Sequence, residues 1–157
     1  MLLVGPGLKW IRAGGPALMC LLAVAGCEQG TAEGIHVISL EQMLPRPSAR
    51  EGVYLNEALV FHFSGPIDSS SVTRESLSVR PLNGSQPASG SYEVDGDRIR
   101  FLPELGLAKD LSDGGLKPGT RYVVTLLGFP APDGLRSTAG HPLARSARFE
   151  FETAALT

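Results

Sequence analysis

The feature that most restricts how this chain can fold is a period-two alternation of apolar and polar side chains, which recurs past Arg50 in short runs closed by turn residues. A strand sends successive side chains to opposite faces, so each run buries one face and leaves the other wet. Leu59, Phe61 and Phe63 alternate with Val60 and His62, and Leu77 and Val79 alternate with Ser76, Ser78 and Arg80. Ile99 and Phe101 alternate with Arg98 and Arg100, and Phe149 and Phe151 with Arg148, Glu150 and Glu152. Tyr122 to Leu127 is apolar on both sides, which predicts a central strand. Val94-Asp95-Gly96-Asp97 is a hairpin signal, because Asp-Gly tolerates the positive φ angles of a type I′ turn. Ser89 to Val94 and a strand near Val53 bring the count to about seven short strands, the pattern of an all-β, Ig-like antiparallel sandwich. The 19 Gly and 12 Pro are spread through the chain, which suits many tight turns. No helix longer than a turn is expected outside Glu104 to Ser112.

The N-terminus follows a different rule. Lys9 and Arg12 form a cationic region, Ala17 to Ala25 an apolar one, and Val24-Ala25-Gly26-Cys27 matches the lipobox read by bacterial lipoprotein signal peptidase. Small residues precede the cysteine because the peptidase must admit an extended backbone there. A membrane-spanning helix would need about 20 apolar residues, whereas Gly14, Gly15 and Pro16 interrupt this segment upstream and Glu28 follows Cys27 directly. Leu18 and Met19 are too large for Cys20 to be the modified residue. The reading is a cleaved signal peptide over residues 1–26 and lipidation of Cys27. Cys20 leaves with the signal, so the mature chain has a single thiol and no intrachain disulfide. Two or three acyl chains exceed what stable membrane anchoring requires.

Residues 27–44 then comprise the lipidated cysteine, a polar tether from Glu28 to Gly34 and a possible first strand over Ile35 to Leu40. A flexible tether of about seven residues spans roughly 15 Å. Pro45-Arg46-Pro47 is a break before the domain proper, residues 45–157. Formal charge is −2, and loss of Lys9 and Arg12 takes it to about −4. A chain with that balance and no basic stripe is not built for nucleic acid.

Several motifs, in order, give the sandwich a family character. Phe63-Ser64-Gly65-Pro66-Ile67-Asp68 resembles the F-S-x-P-[hydrophobic]-D element of bacterial Ig-like domains of the SbsA type. Ile99-Arg100-Phe101-Leu102-Pro103 is similar to that family's strand ending in proline. Leu116-Lys117-Pro118-Gly119-Thr120-Arg121-Tyr122 resembles the turn into the sixth strand of fibronectin type III and related sandwiches, and Asp133 to Leu143 is similar to the D-x-x-G-N-x-L loop ahead of a closing F-x-F-x-T, here Phe149 to Thr153. The resemblance covers roughly Pro45 to Thr153. It implies two structural roles: Asp68 caps a single turn, and Tyr122 forms a tyrosine corner, its hydroxyl bonded back to upstream backbone. The loop Glu104 to Gly115 is longer than the family carries, and His141 stands where asparagine is commoner.

The same residues offer little chemistry. His36, His62 and His141 lie on separate segments without metal-ligand spacing, and His62 belongs on a solvated strand face. No G-x-S-x-G elbow is present, and Ser69-Ser70-Ser71 reads as a capped turn. Glu93, Asp95 and Asp97 are better explained by a hairpin than by calcium, which takes oxygens from several segments. The expectation is no catalytic residue, no metal and no cofactor. Recognition, if any, belongs to strand-end loops: Glu104 to Gly115, and Gly128 to Arg145 with Phe129, Asp133, Arg136 and His141 as contact residues.

By resemblance, SbsA-type domains are building blocks of surface and secreted proteins. The functional expectation is a non-catalytic, membrane-anchored Ig-like lipoprotein of the bacterial cell envelope, making structural or adhesive contacts with an envelope protein or polysaccharide. The alternative is a carbohydrate- or ligand-binding envelope lipoprotein, for which Tyr54, Tyr92 and Phe129 are the available aromatics. Glu28 after the cysteine favours the outer membrane in a Gram-negative cell.

Overall fold

The computed structural model describes residues 36–46 and 52–156. All belong to a compact unit spanning Glu33–Thr157. Cys27 and the expected signal peptide lie outside the described residues. Seven strands form: β1 (Leu40–Leu44), β2 (Leu59–Phe63), β3 (Leu77–Pro81), β4 (Gly90–Asp95), β5 (Arg98–Pro103), β6 (Arg121–Leu126) and β7 (Ala147–Glu152). They make two antiparallel sheets, ordered β1-β2-β5-β4 and β3-β6-β7. This is the ABED and CFG division of a constant-type Ig sandwich.

The alternation places the core. Leu59, Phe61 and Phe63 from β2 and Ile99 and Phe101 from β5 face Leu77 and Val79 of β3, Tyr122, Val124 and Leu126 of β6 and Phe151 of β7, all essentially without solvent contact. Each large side chain sealed in this way contributes about 1.5–3 kcal/mol of transfer free energy. On the outer face of the larger sheet, Val60 stands opposite Arg100 and His62 opposite Arg98, with Glu93 and Asp95 of β4 opposite the same two arginines. Those cross-strand pairs favour this register over a one-residue slip, which would bury the arginines.

Three local expectations change. The first strand is Leu40–Leu44, later than Ile35 to Leu40, and it pairs with β2 inside the sandwich. The sheet therefore takes in residues ahead of the Pro45 break. Val53 makes only an isolated bridge to Thr153, so β1 rather than the Val53 segment completes the seven. The β4–β5 hairpin closes through Gly96 and Asp97, and Gly96 alone of the two has a positive φ, 58°. That is the sense of a type II′ turn, not type I′. Residues 104–115 form turns held by Glu104, Leu111 and Gly115 backbone bonds, without a helix.

The registers define two ends. Phe63, Arg98, Leu126 and Ala147 lie at one, with the 64–76 and 127–146 connections; Leu59, Pro103, Arg121 and Glu152 lie at the other, with residues 52–58, 82–89, 104–120 and 154–156. The described chain enters at the first, where Ile38 bridges Leu143 and Ser64 donates to the Ser39 carbonyl. That first end is the N-terminal end of the sandwich.

Candidate functional site

The two loops expected to carry recognition sit at opposite ends of the sandwich. At the N-terminal end, β2 stops at Phe63 and the chain turns through Pro66 into a single 3-10 turn, Ser69–Ser71. Asp68 caps that turn: its carboxylate accepts the Ser70 backbone N–H at 2.9 Å and the Ser70 hydroxyl at 2.8 Å. This is the cap's ordinary work, satisfying amides that a first turn leaves unpaired. The Gly128 to Arg145 loop is laid against the same turn. Asp68 N–H donates to the Arg136 carbonyl at 2.9 Å, and the Ser71 hydroxyl oxygen accepts the Arg136 N–H at 3.1 Å.

That contact brings Asp68, Asp133 and Arg136 to one cleft of about 420 Å³, lined also by Ser71, Thr73 and Glu75. The Arg136 guanidinium donates to the Pro132 carbonyl at 2.8 Å, which closes its own loop. The cleft offers carboxylates and hydroxyls to a polar group and has no aromatic wall. His141 and Phe129 stay outside it. The His141 ring stacks on His36 with centroids 5.2 Å apart. Phe129 donates its backbone N–H to the Leu143 carbonyl at 2.7 Å while its ring remains 54% exposed.

The opposite end holds the tyrosine corner. Tyr122 is fully buried, stacked on Phe151 at 5.5 Å, and its hydroxyl accepts the Lys117 N–H at 2.9 Å. Burial pushes the phenol pKa up, and the Lys117 bond opposes that shift. The other half of the same residue's backbone is held by Thr153, whose hydroxyl donates to the Lys117 carbonyl at 2.5 Å and accepts the Thr120 N–H at 2.9 Å. Thr153 is the closing threonine of the F-x-F-x-T motif. Its spacing gives no hint of this contact, because the partner lies more than thirty residues upstream.

Beside the corner, Asp113 accepts the Leu107 and Ala108 N–H groups at 3.0 Å. Those bonds hold its carboxyl below the usual carboxylate range. Asp110 is lowered likewise by the Ser112 hydroxyl and N–H. The arrangement leaves Leu107 93% exposed, next to an apolar groove of about 440 Å³ lined by Tyr54, Leu105, Leu111, Leu116 and Leu156. Leu111 has φ 53°, a left-handed conformation uncommon for a residue with a Cβ.

The three aromatics available for sugar stacking do not converge. Tyr54 is at the groove end and Phe129 at the N-terminal end, while Tyr92 bridges the sheets by donating its hydroxyl to the Leu77 carbonyl at 2.6 Å. Burial raises the Tyr92 phenol to about 12. Among the described residues, no three histidine, cysteine, aspartate or glutamate side chains are placed to hold a metal. Glu93 is paired with Arg100 at 3.3 Å and Asp97 with Arg98 at 3.6 Å. No helix among the described residues is long and apolar enough to cross a membrane.

No curated protein matches the chain significantly. Among solved structures it is similar to the N-terminal part of the bacterial S-layer protein SbsC, with 19% identity and a TM-score of 0.47 over 76% of this chain and 24% of that one. It is similar also to the longer S-layer protein rSbsC(31-844), with 17% identity and a TM-score of 0.48 over 78% of this chain and 14% of that one. The chain thus spans a quarter or less of those proteins' length. A family model described as a bacterial Ig-like domain matches residues 36–153, from the first described residue to the corner threonine, and the chain belongs to that family.

Proposed function

We propose that this protein is a non-catalytic, lipid-anchored Ig-like module of the bacterial cell envelope, attached through Cys27 and making structural or adhesive contacts. The observation that carries the reading is the box Val24-Ala25-Gly26-Cys27 standing only nine peptide links ahead of the sandwich at His36. At no more than about 3.6 Å per residue, those links reach about 32 Å at full stretch. A domain so tethered stays beside its membrane.

Several side chains of the types that elsewhere act as bases or nucleophiles are committed to structure here. Asp68 and Ser70 bond one another in a cap, Asp113 clamps a loop, and Tyr122 and Thr153 hold a corner. None forms the nucleophile–base pair, oriented by a third group, from which a catalytic site is read. Fold alone does not assign a role, so the contact function rests on the anchor, the family and these commitments together.

Labelled palmitate fed to cells producing the wild type or Cys27→Ser tests the anchor, with membrane fractionation alongside. The proposal expects label and membrane residence in the wild type and neither in the variant. Crosslinking on intact cells tests the contact role. Recovery of neither an envelope protein nor a polysaccharide would count against it.

A further inference from the structure

We propose that the N-terminal end of the sandwich rests on the lipid bilayer, with Phe129 and Val37 seated in the interface and the Leu107 groove turned away from it. The inference rests on the anchoring at Cys27 proposed above and adds an orientation and a lipid-contacting pair to it.

The described chain enters the sandwich at this end. His36 packs on His141, and Ile38 is built into the sheet margin at Leu143, with Ile38 N–H donating to the Pro142 carbonyl and Ala144 N–H to the Ile38 carbonyl. The tether therefore pulls on this end. Val37, 45% exposed, flanks the Leu143 segment on one side; Phe129, 54% exposed and bonded to the Leu143 carbonyl, flanks it on the other. These two are the only large apolar side chains exposed at this end among the described residues. A pair so small would not hold a free domain to a membrane. A short tether changes this, because it makes the second contact intramolecular at a high effective concentration.

The charge around the pair is mixed. Arg136 and Arg145 are exposed in the same loop, and Asp133, Asp68 and Glu75 line the cleft beside it. Attraction to anionic headgroups is thus offset, and the contact is made by the aromatic and aliphatic side chains, as for rings placed at membrane–water interfaces. Six other exposed apolar residues, Leu44, Tyr54, Leu82, Leu105, Leu107 and Leu156, lie at the far end. Apolarity alone would put that end on the bilayer, so the two orientations are experimentally separable.

The chain's single tryptophan, Trp10, precedes Cys27, so the processed protein has none and one substitution creates a clean reporter. Phe129→Trp and Leu107→Trp are prepared as full lipidated proteins in phosphatidylcholine vesicles with brominated acyl chains. Quenching of the Phe129→Trp emission several-fold above that of Leu107→Trp, unchanged by salt, is the expected result. Equal quenching, or stronger quenching of Leu107→Trp, overturns the orientation. Val37→Trp supplies the same reading should Phe129→Trp fold poorly. Mass analysis of each sample separates the two levels: absence of lipid on Cys27 defeats the anchor, while lipidated protein with unquenched Phe129→Trp and Val37→Trp defeats only the orientation.

Discussion

Replacing Tyr122 with phenylalanine removes one oxygen and nothing else from the centre of the corner. The ring still stacks on Phe151, and the core volume is almost unchanged. What is lost is the acceptor for the Lys117 N–H, 2.9 Å away, at a residue with no solvent contact. Lys117 is exposed and its bond to the hydroxyl part-buried, so the loss is that of an ordinary hydrogen bond, about 0.5–1.5 kcal/mol, and Tyr122→Phe should destabilise the domain by about 1 kcal/mol. With a urea slope of about 2 kcal/mol/M, the midpoint should fall by about 0.5 M at constant slope. Thr153→Val should cost a similar amount, since it strands the Lys117 carbonyl and the Thr120 N–H. Because both side chains hold the backbone of one residue, Lys117, the double variant should cost less than the two single losses together. A Tyr122→Phe midpoint within about 0.25 M of wild type would refute the reasoning, since it would leave the hydroxyl with no structural work.

Three further outcomes follow from the polar contacts. Asp68→Ala should cost about 1 kcal/mol in urea unfolding, the usual loss for an acidic cap. Asp113→Ala should speed hydrogen exchange at the Leu107 and Ala108 amides while leaving the global midpoint nearly unchanged, because the clamp is confined to an exposed loop. In the wild type that protection should be complete above the ordinary aspartate pKa and fade only as pH falls through the lowered one, the sign for a carboxylate depressed by folding. Tyr92 runs the other way: its phenol ionises near 10 in the unfolded chain and near 12 in the folded one, so the unfolded state sheds its proton first and stability declines from pH 10 towards 12. Urea midpoints at pH 9 and 11 should differ less in Tyr92→Phe than in the wild type.

The core strands were legible because their alternation is regular: Leu59 to Phe63 and Ile99 to Phe101 bury every second side chain without interruption. The first strand was not, and a bulge explains it. The register shifts between Leu40 and Gln42, so Leu40 and Met43 fall out of period and only Met43 is fully buried. A strand was expected near Val53, which is deeply buried, yet it pairs with one residue before the chain turns at Tyr54. The Asp-Gly pair announced a turn, but which turn type forms depends on where the paired strands end. Asp95 opposite Arg98 places Gly96 first in the loop.

Loops were less readable for a related reason. Alternation assigns faces, and nothing in it says which connections share an end. Hence the Glu104 and Gly128 loops were both candidates by sequence, and only the registers place them at opposite ends. The cleft that joins Asp133 and Arg136 to Asp68 depends on Arg136 backbone meeting the Ser71 hydroxyl across 65 positions of sequence. The groove beside Leu107 depends likewise on residues 54, 105 and 156 converging. Such contacts become visible only once both sheets are in register.

The central claim is attachment through Cys27, and intact mass of the protein taken from cell membranes tests it most directly. The account predicts a chain beginning at Cys27 and carrying the added mass of two or three acyl groups. An unmodified chain that still carries residues 1–26, or one cut at another position without lipid, would contradict it.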